Sequence, residues 1–225
     1  MAASVGGPCA AILVAAGSGE RLGADVPKAF VEVGGRTLLE HALGTFCSHP
    51  GMCEIVVVVP GDRVAEVATD PRVTVVAGGA TRQASVAAGL AALSDDVQFV
   101  LVHDVARPFV PTAVVDAVLA ALHDGADAVV PVVPVADTVR RVDADGMLAG
   151  VVDRSTLAAV QTPQGFRRDV LLAAHAGATE VATDDAALVE ALGRHVVAVR
   201  GSDSAFKITT PADLARAESI SGGTS

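Results

Sequence analysis

Two cationic side chains stand out by type and place. The chain has sixteen Lys and Arg residues, and only two of them are lysines, Lys28 and Lys207. Lys28 closes the stretch AAGSGERLGADVPK, which begins at Ala15 and also carries Arg21. Lys207 lies in SAFKITTPADL, near the C-terminus. A compact ammonium suits a crowded phosphate site where a planar guanidinium would clash, whereas an arginine such as Arg21 forks onto two phosphate oxygens. The glycines Gly17, Gly19 and Gly23 would let backbone N–H groups approach phosphate oxygens closely. Their spacing, GxGxxxG, is one residue longer than the dinucleotide fingerprint, and no Gly-Lys-Ser/Thr closes a Walker A loop. The chemistry these residues suit is the holding of a phosphoanion at the C-terminal end of a strand.

Further candidates follow along the chain. In Val102-His103-Asp104-Val105-Ala106-Arg107-Pro108 an apolar run ends in an acid, and an arginine follows three residues later. Asp104 at such a strand end suits a divalent metal or a ribose hydroxyl, and His103 reads as structural. Gly78-Gly79 before a helix start, with Ser85 in the first turns, offers a second backbone-lined edge. Asp153-Arg154 and Gln161-Thr162-Pro163-Gln164-Gly165-Phe166 flank a short strand. Thr183-Asp184-Asp185 reads as a helix cap. No Ser-His-Asp or Cys-His grouping shows in the spacing.

These residues need a scaffold, and its pattern is regular. Apolar runs rich in Val, Ile and Leu occupy 10–15, 54–59, 72–77, 99–103, 128–133, 158–161 and 195–200, and most are continuous rather than alternating. That suits strands buried on both faces of a mainly parallel sheet. Helical patterns fall between them at 37–49, 62–69, 81–93, 112–124, 167–176, 185–192 and 212–219. Thr37-Leu-Leu-Glu40 has the form of a capping box, and Thr210-Pro211 places a capping hydroxyl before a proline at the first helical position. The alternation predicts an α/β fold, a three-layer doubly wound mainly parallel sheet in one domain spanning 1–225. One segment breaks it. TVRRVDADGMLAGVV, from Thr138 to Val152, reads as two short strands around an Asp-Gly turn, a β-hairpin arm at about 137–153. Its apolar residues require a surface to pack on, and a second subunit would supply one.

Composition limits the partners. The net charge of −10 argues against a nucleic acid or an anionic membrane, and the absence of Trp and Tyr argues against a base-stacking platform. No apolar run approaches the ~20 residues that span a bilayer. The N-terminus lacks a signal-peptide pattern, so the expected location is cytoplasmic. Cys9, Cys47 and Cys53 have no metal-ligand spacing and read as buried free thiols.

Taken in order, the segments resemble one family, the 2-C-methyl-D-erythritol 4-phosphate cytidylyltransferases. The resemblance covers most of the chain and rests on AAGSGERLGADVPKAF, AGG…R..SV, VHDVARP, PVADTVRRVD, VDR, QTPQGF, TDD and FKITTPADL. It implies a nucleotidyltransferase fold, a homodimer joined through the arm, Mg²⁺, and the transfer of a cytidylyl group from CTP to 2-C-methyl-D-erythritol 4-phosphate. By matched motif it implies Arg21 and Lys28 as transition-state stabilisers. Ala15, Ala16, Gly17, Gly19, Gly79 and Ser85 match the nucleotide-binding edge, with Asp104 beside nucleotide and metal. Arg107, Thr138, Arg154 and Lys207 match the group that holds the acceptor phosphate, some of them reaching in from the partner's arm. Two departures stand out: Ala80 follows the double glycine where the family often has Asp or Ser, and HDVARP replaces the usual HDAARP. Rival readings are a cytidylyltransferase for another polyol phosphate, such as ribitol 5-phosphate, and a catalytically silent nucleotide-binding regulator.

Overall fold

Continuous apolar runs become strands whose successive side chains enter two different cores. Along the chain the strands are β1 (Cys9–Val14), β2 (Glu32–Val33), β3 (Arg36–Thr37), β4 (Met52–Val59), β5 (Val73–Ala77), β6 (Phe99–Asp104), β7 (Ala128–Pro134), β8 (Val139–Val142), β9 (Leu148–Val152), β10 (Ala158–Val160), β11 (Gln164–Arg167) and β12 (Val196–Arg200). The helices are α1 (Leu38–Ser48), α2 (Arg82–Ala91), α3 (Thr112–His123), α4 (Arg168–Gly177), α5 (Asp185–Ala191) and α6 (Pro211–Gly222). The structure is a computed structural model that describes residues 7–17, 19, 22, 26–67, 70–180 and 182–222.

In β1, Cys9, Ala11 and Leu13 enter one core while Ala10 and Ile12 enter the other. In β4, Ile55, Val57 and Val59 face the first core and Val56 and Val58 the second. Side chains two residues apart share a face, so a sheet covered on both sides needs an unbroken apolar run. The first core is closed by Leu38, Leu39, Ala42 and Phe46 of α1, by Val114, Val115, Val118, Leu119 and Leu122 of α3, and by Ala217 of α6. The second is closed by Val86 and Leu90 of α2, Val170, Leu171 and Ala174 of α4, and Leu188 and Val189 of α5. Each fully buried Val, Leu or Phe side chain contributes about 1.5–3 kcal/mol. The expected three layers are present.

The main sheet has the order β10-β7-β11-β6-β1-β4-β5, with β12 also on β7. β1 runs parallel to β4 and β6, β4 to β5, and β12 to β7. β11 is antiparallel to both β6 and β7, and β10 is antiparallel to β7. The register along β7 descends from Ala158↔Pro134 to Phe166↔Ala128, so β10 and β11 are two halves of one interrupted strand. Among the described residues no helix is long and apolar enough to cross a membrane.

Local signals explain where elements begin. Thr37 caps α1 by accepting from the Glu40 N–H, and the Glu40 carboxylate accepts from the Thr37 N–H, so both halves of the capping box form. Gly89 has a different role. A Cβ there would lie 2.6 Å from Ile12 Cγ2 and 3.1 Å from Val58 Cγ2, so its lack of a side chain lets α2 rest directly on β1 and β4.

Three expectations need correction. The helix expected at 62–69 is a 3-10 turn over Gly61–Glu66 with no buried residue; Thr69 lies outside the described residues. Val64 and Val67 pack against the first core only as partly buried side chains, too little burial to hold a longer helix against the sheet. The strand β11 and the small β2–β3 hairpin were not anticipated, because Gln-Gly-Phe-Arg and two-residue strands carry no periodic apolar signal. Of the cysteines, all free, Cys9 is buried and Cys47 half-buried, but Cys53 is exposed. The register passes from Cys9↔Met52 to Ala10↔Glu54, so Cys53 is the extra residue of a bulge and is left without a partner position in the ladder.

The arm forms as expected. β8 and β9 pair antiparallel as a separate two-stranded sheet, with Val139 opposite Val152 and Val142 opposite Leu148. Asp143 fixes the turn by accepting from the N–H groups of Asp145 and Met147, and Gly146 adopts a positive φ of 81°. Val142, Met147, Leu148 and Val151 are between 60% and 66% exposed.

Candidate active site

Four neighbouring parallel strands, β1, β4, β5 and β6, end along one edge of the sheet. Val14 pairs with Val58 on one side and with Asp104 on the other, and Val59 pairs with Ala77. The loops leaving these ends are stitched to the strands beside them. The Ala15 N–H donates to the Val58 carbonyl (2.8 Å), Gly78 N–H to the Val59 carbonyl (2.8 Å) and Val105 N–H to the Val14 carbonyl (3.2 Å). The Ile208 N–H donates to the Ala106 carbonyl (2.8 Å), which brings the distant Lys207 segment to the same edge.

A cleft of about 660 Å³ opens there. Ala15, Ala16, Gly17 and Gly19 line it from the β1 loop, Gly79 and Ser85 from the β5–α2 turn, and Asp104 from the end of β6. Lys28, Thr81, Arg82, Lys207 and Thr209 complete the polar lining. Both lysines of the chain, 179 residues apart in sequence (207 − 28), therefore share one hollow. Gly19 has a φ of 72°, and a Cβ there would lie 2.6 Å from Lys28 Cβ. Only glycine lets the loop turn back against the lysine. Arg21 lies outside the described residues.

Asp104 is the electrostatic centre. Its Oδ1 accepts from Arg82 Nε (3.1 Å) and its Oδ2 from Lys207 Nζ (2.7 Å). Burial works to raise its pKa, but the Arg82 and Lys207 charges outweigh burial and hold the carboxyl well below the usual range. Burial likewise acts to lower the Arg82 pKa, and the carboxylates of Asp104 and Asp185 more than reverse it. Behind Asp104 runs a directed chain of hydrogen bonds. The Asp104 N–H donates to Thr162 Oγ1 (3.1 Å), whose hydroxyl meets His103 Nδ1 (3.0 Å), while His103 Nε2 meets the Arg107 carbonyl (3.1 Å). A carbonyl only accepts, so Nε2 carries the ring proton and the Thr162 hydroxyl donates to Nδ1. Burial pushes the His103 pKa down to about 4. His103 is structural, as its sequence context indicated: it fixes the turn between Asp104 and Arg107.

Ser85 shapes the opposite edge. It is 1% exposed, accepts from the Gly79 N–H (3.2 Å) and donates to the Thr81 carbonyl (3.0 Å). Below Lys207, the Asp213 Oδ2 accepts from the N–H and hydroxyl of both Thr209 and Thr210, at 2.8–2.9 Å. This clamp holds the segment that carries Lys207 onto the start of α6.

Three of the residues matched to the acceptor phosphate do not line the cleft. Arg107 donates from Nη1 to the Ala205 carbonyl (2.8 Å) and from Nη2 to the Val160 carbonyl (3.2 Å). Burial lowers its pKa, opposed by Asp104. Thr138 and Arg154 are exposed at the root of the arm, where Arg154 donates to the Ala136 carbonyl. Arg82 is a cleft residue that sequence reasoning missed. Its signal was its position: a cation in the first turn of a helix opposes the helix dipole and needs a compensating acid. Asp184 caps α5 as expected, accepting from the Ala187 N–H, but Asp185 reaches Arg82 instead.

Comparison with known proteins agrees with this fold. The family model described as 2-C-methyl-D-erythritol 4-phosphate cytidylyltransferase matches residues 9–222. A protein of that name from Rhodococcus opacus (strain B4) is 48% identical over 216 residues, covering 95% of each chain. Another, from Frankia casuarinae, is 52% identical over 213 residues, covering 94% of this chain and 80% of the other. The crystal structure of the enzyme of that name from Thermus thermophilus superposes with a TM-score of 0.81 at 44% identity, over 94% of this chain and 98% of that one. With the fold and nearly the whole length in agreement, the chain belongs to the 2-C-methyl-D-erythritol 4-phosphate cytidylyltransferase family.

Proposed function

We propose that the strand-end cleft is where this chain performs its family's reaction, and that its residues divide the work between two phosphates. The reaction transfers the cytidylyl group of CTP to 2-C-methyl-D-erythritol 4-phosphate, in the non-mevalonate route to isoprenoid precursors. An oxygen of the acceptor phosphate bonds to the α-phosphorus of CTP, the bond from that phosphorus to the bridging oxygen of the β-phosphate breaks, and pyrophosphate leaves. The acceptor phosphate is already an anion at neutral pH, so no base has to create the nucleophile. The barrier lies in bringing two anions together, and fixed cations lower it.

The observation that carries the assignment is the meeting of Lys28, Lys207 and Arg82 in one cleft, the last two of them on one ionised aspartate. Lys28, with Arg21 from the same loop, stabilises the charge that develops on the triphosphate. Ala15, Ala16, Gly17, Gly19, Gly79 and Ser85 form the nucleotide edge, where backbone groups and small side chains permit close approach. Lys207 leaves Asp104 for the incoming acceptor phosphate. Arg107, Thr138 and Arg154 complete the acceptor side, with the arm of a second subunit bringing the latter two near.

The donor set fits Mg²⁺ that arrives with a triphosphate. Among the described residues no group of three or more His, Cys, Asp or Glu side chains could cage a metal, whereas Mg²⁺ commonly takes one or two carboxylates and fills its shell with phosphate oxygens and water. Asp104, the one carboxylate among the described residues lining the cleft, would hold it. The ion would supply further neutralisation of phosphate charge.

The dimer follows from the arm. A two-stranded hairpin is marginal alone, and Val142, Leu148 and Val151 find no cover within their own subunit. The test of the two-sided assignment is Arg154→Ala. Its acceptor KM should rise about tenfold or more while the CTP KM stays within about twofold. Equal effects on both substrates would remove Arg154 from the acceptor side.

A further inference from the structure

We propose that Asp185 is a positioning residue for the nucleotide, acting through Arg82. The inference rests on the reading of the cleft as the CTP site.

Arg82 is shared between two carboxylates. Its Nε donates to Asp104 Oδ1 (3.1 Å) and its Nη1 to Asp185 Oδ2 (2.7 Å). The second oxygen of Asp185 accepts from His175 Nε2 (2.9 Å). Asp185 is 1% exposed, yet capping does not account for its burial, because Asp184 caps α5. Burying a carboxylate costs several kcal/mol unless charge and hydrogen bonds offset it. Here both oxygens are used, and the partners come from α2 and α4. One guanidinium thus ties α2, α5 and, through Asp185, α4 to the end of β6.

The consequence for Asp104 is geometric. Arginine prefers to grip a carboxylate with two parallel N–H bonds. Asp185 holds Nη1 away, so Asp104 receives a single bond from Arg82 and keeps Oδ2 for Lys207. Without the negative charge at 185, Arg82 is free to fork onto Asp104. It would then compete with Lys207 for Oδ2 and draw the guanidinium from its place in the cleft wall.

Asp185→Asn isolates the charge. The introduced amide has the same shape. Its carbonyl accepts from Arg82, and its NH₂ donates to a neutral His175 that has changed tautomer. CTP affinity by calorimetry, both KM values and the thermal midpoint should be measured for the wild type, Asp185→Asn, Arg82→Lys and the double variant. In Asp185→Asn the CTP Kd and KM should rise about tenfold, equivalent to ~1.4 kcal/mol. The acceptor KM should stay within about twofold and the thermal midpoint near wild type. In the Arg82→Lys background the second substitution should add less than about twofold, since coupled positions are not additive.

A lowered kcat and thermal midpoint with an unchanged CTP KM would make Asp185 merely structural, and additive effects would break its link to Arg82. Either result overturns the proposal. If Arg82→Lys alone leaves CTP binding unchanged, the reading of the cleft itself fails, and the inference with it. Should Asp185→Asn not fold, His175 gives the same test. His175→Gln keeps a donor to Asp185 and should bind CTP normally, while His175→Leu removes the donor and should weaken CTP. Equal CTP binding by the two would also overturn the proposal.

Discussion

The floor of the cleft and the arm are built on opposite terms. In the floor nearly every polar group is answered within the chain. Asp104 holds two cations, Ser85 accepts and donates within its own turn, and Asp213 gathers the donors of two threonines. In the arm, four large apolar side chains face outward and the two strands have only each other. A site that must hold phosphates in fixed geometry is safest on rigid strand ends with its bonds made in advance. A projection that leaves its apolar side chains uncovered gains stability only when something covers them. On the proposed assignment, the nucleotide side is self-contained and the acceptor side depends on assembly.

The largest expected effect falls on the floor. Lys28→Ala should lower turnover by about 10²–10³, roughly 3–4 kcal/mol at the barrier, with the fold retained. Pyrophosphate release from CTP in the presence of acceptor measures it, and near-normal release would take Lys28 out of the chemistry. Next comes the arm. Leu148→Asp places a charge where an apolar contact of about 1.5–3 kcal/mol is expected. Sedimentation should show the wild type as a dimer and this variant shifted toward monomer, with CTP binding kept and acceptor turnover reduced. A variant that remains dimeric would separate the arm from assembly.

The smallest effect is the clamp beneath Lys207. The backbone N–H of Thr209, with the hydroxyls and N–H of its neighbours, holds the Asp213 carboxyl at about 2, below its ordinary 3.8. A depressed carboxyl stabilises the fold fully above its unfolded pKa, and that contribution fades as the pH falls from about 3.8 through about 2. Asp213→Asn should therefore be less stable than the wild type by a constant margin above about pH 5, and the two should converge toward pH 2. Denaturant midpoints across that range measure it; because the side chain is only half-buried and open to solvent screening, the margin should be small.

How much of this was legible in the sequence depended on the kind of signal each residue left. The buried strands announced themselves, since a sheet covered on both faces demands unbroken apolar runs, as 54–59 shows. So did Thr37 and Thr210, because a capping hydroxyl leaves a local pattern. Strand β11 did not: Gln164 and Gly165 give no apolar alternation, and their pairing with β6 and β7 is fixed only by the sheet on either side. In the cleft, glycines and scarce lysines marked the loops. The partnership of Arg82 with Asp185 spans 103 residues and could be read only as a cation at the wrong end of a helix. Arg107 showed the converse: its motif pointed to the acceptor, while its guanidinium grips two backbone carbonyls.

Gly89 carries the last lesson. It is two helical turns from Arg82 and plays no chemical part, yet it sets the thickness of the spacer between α2 and the sheet. Swelling that spacer by a single methyl would lever the helix outward and lift Ser85 and Arg82 at its near end. The calibre of the cleft is therefore tuned from inside the hydrophobic interior, at a point outside its lining.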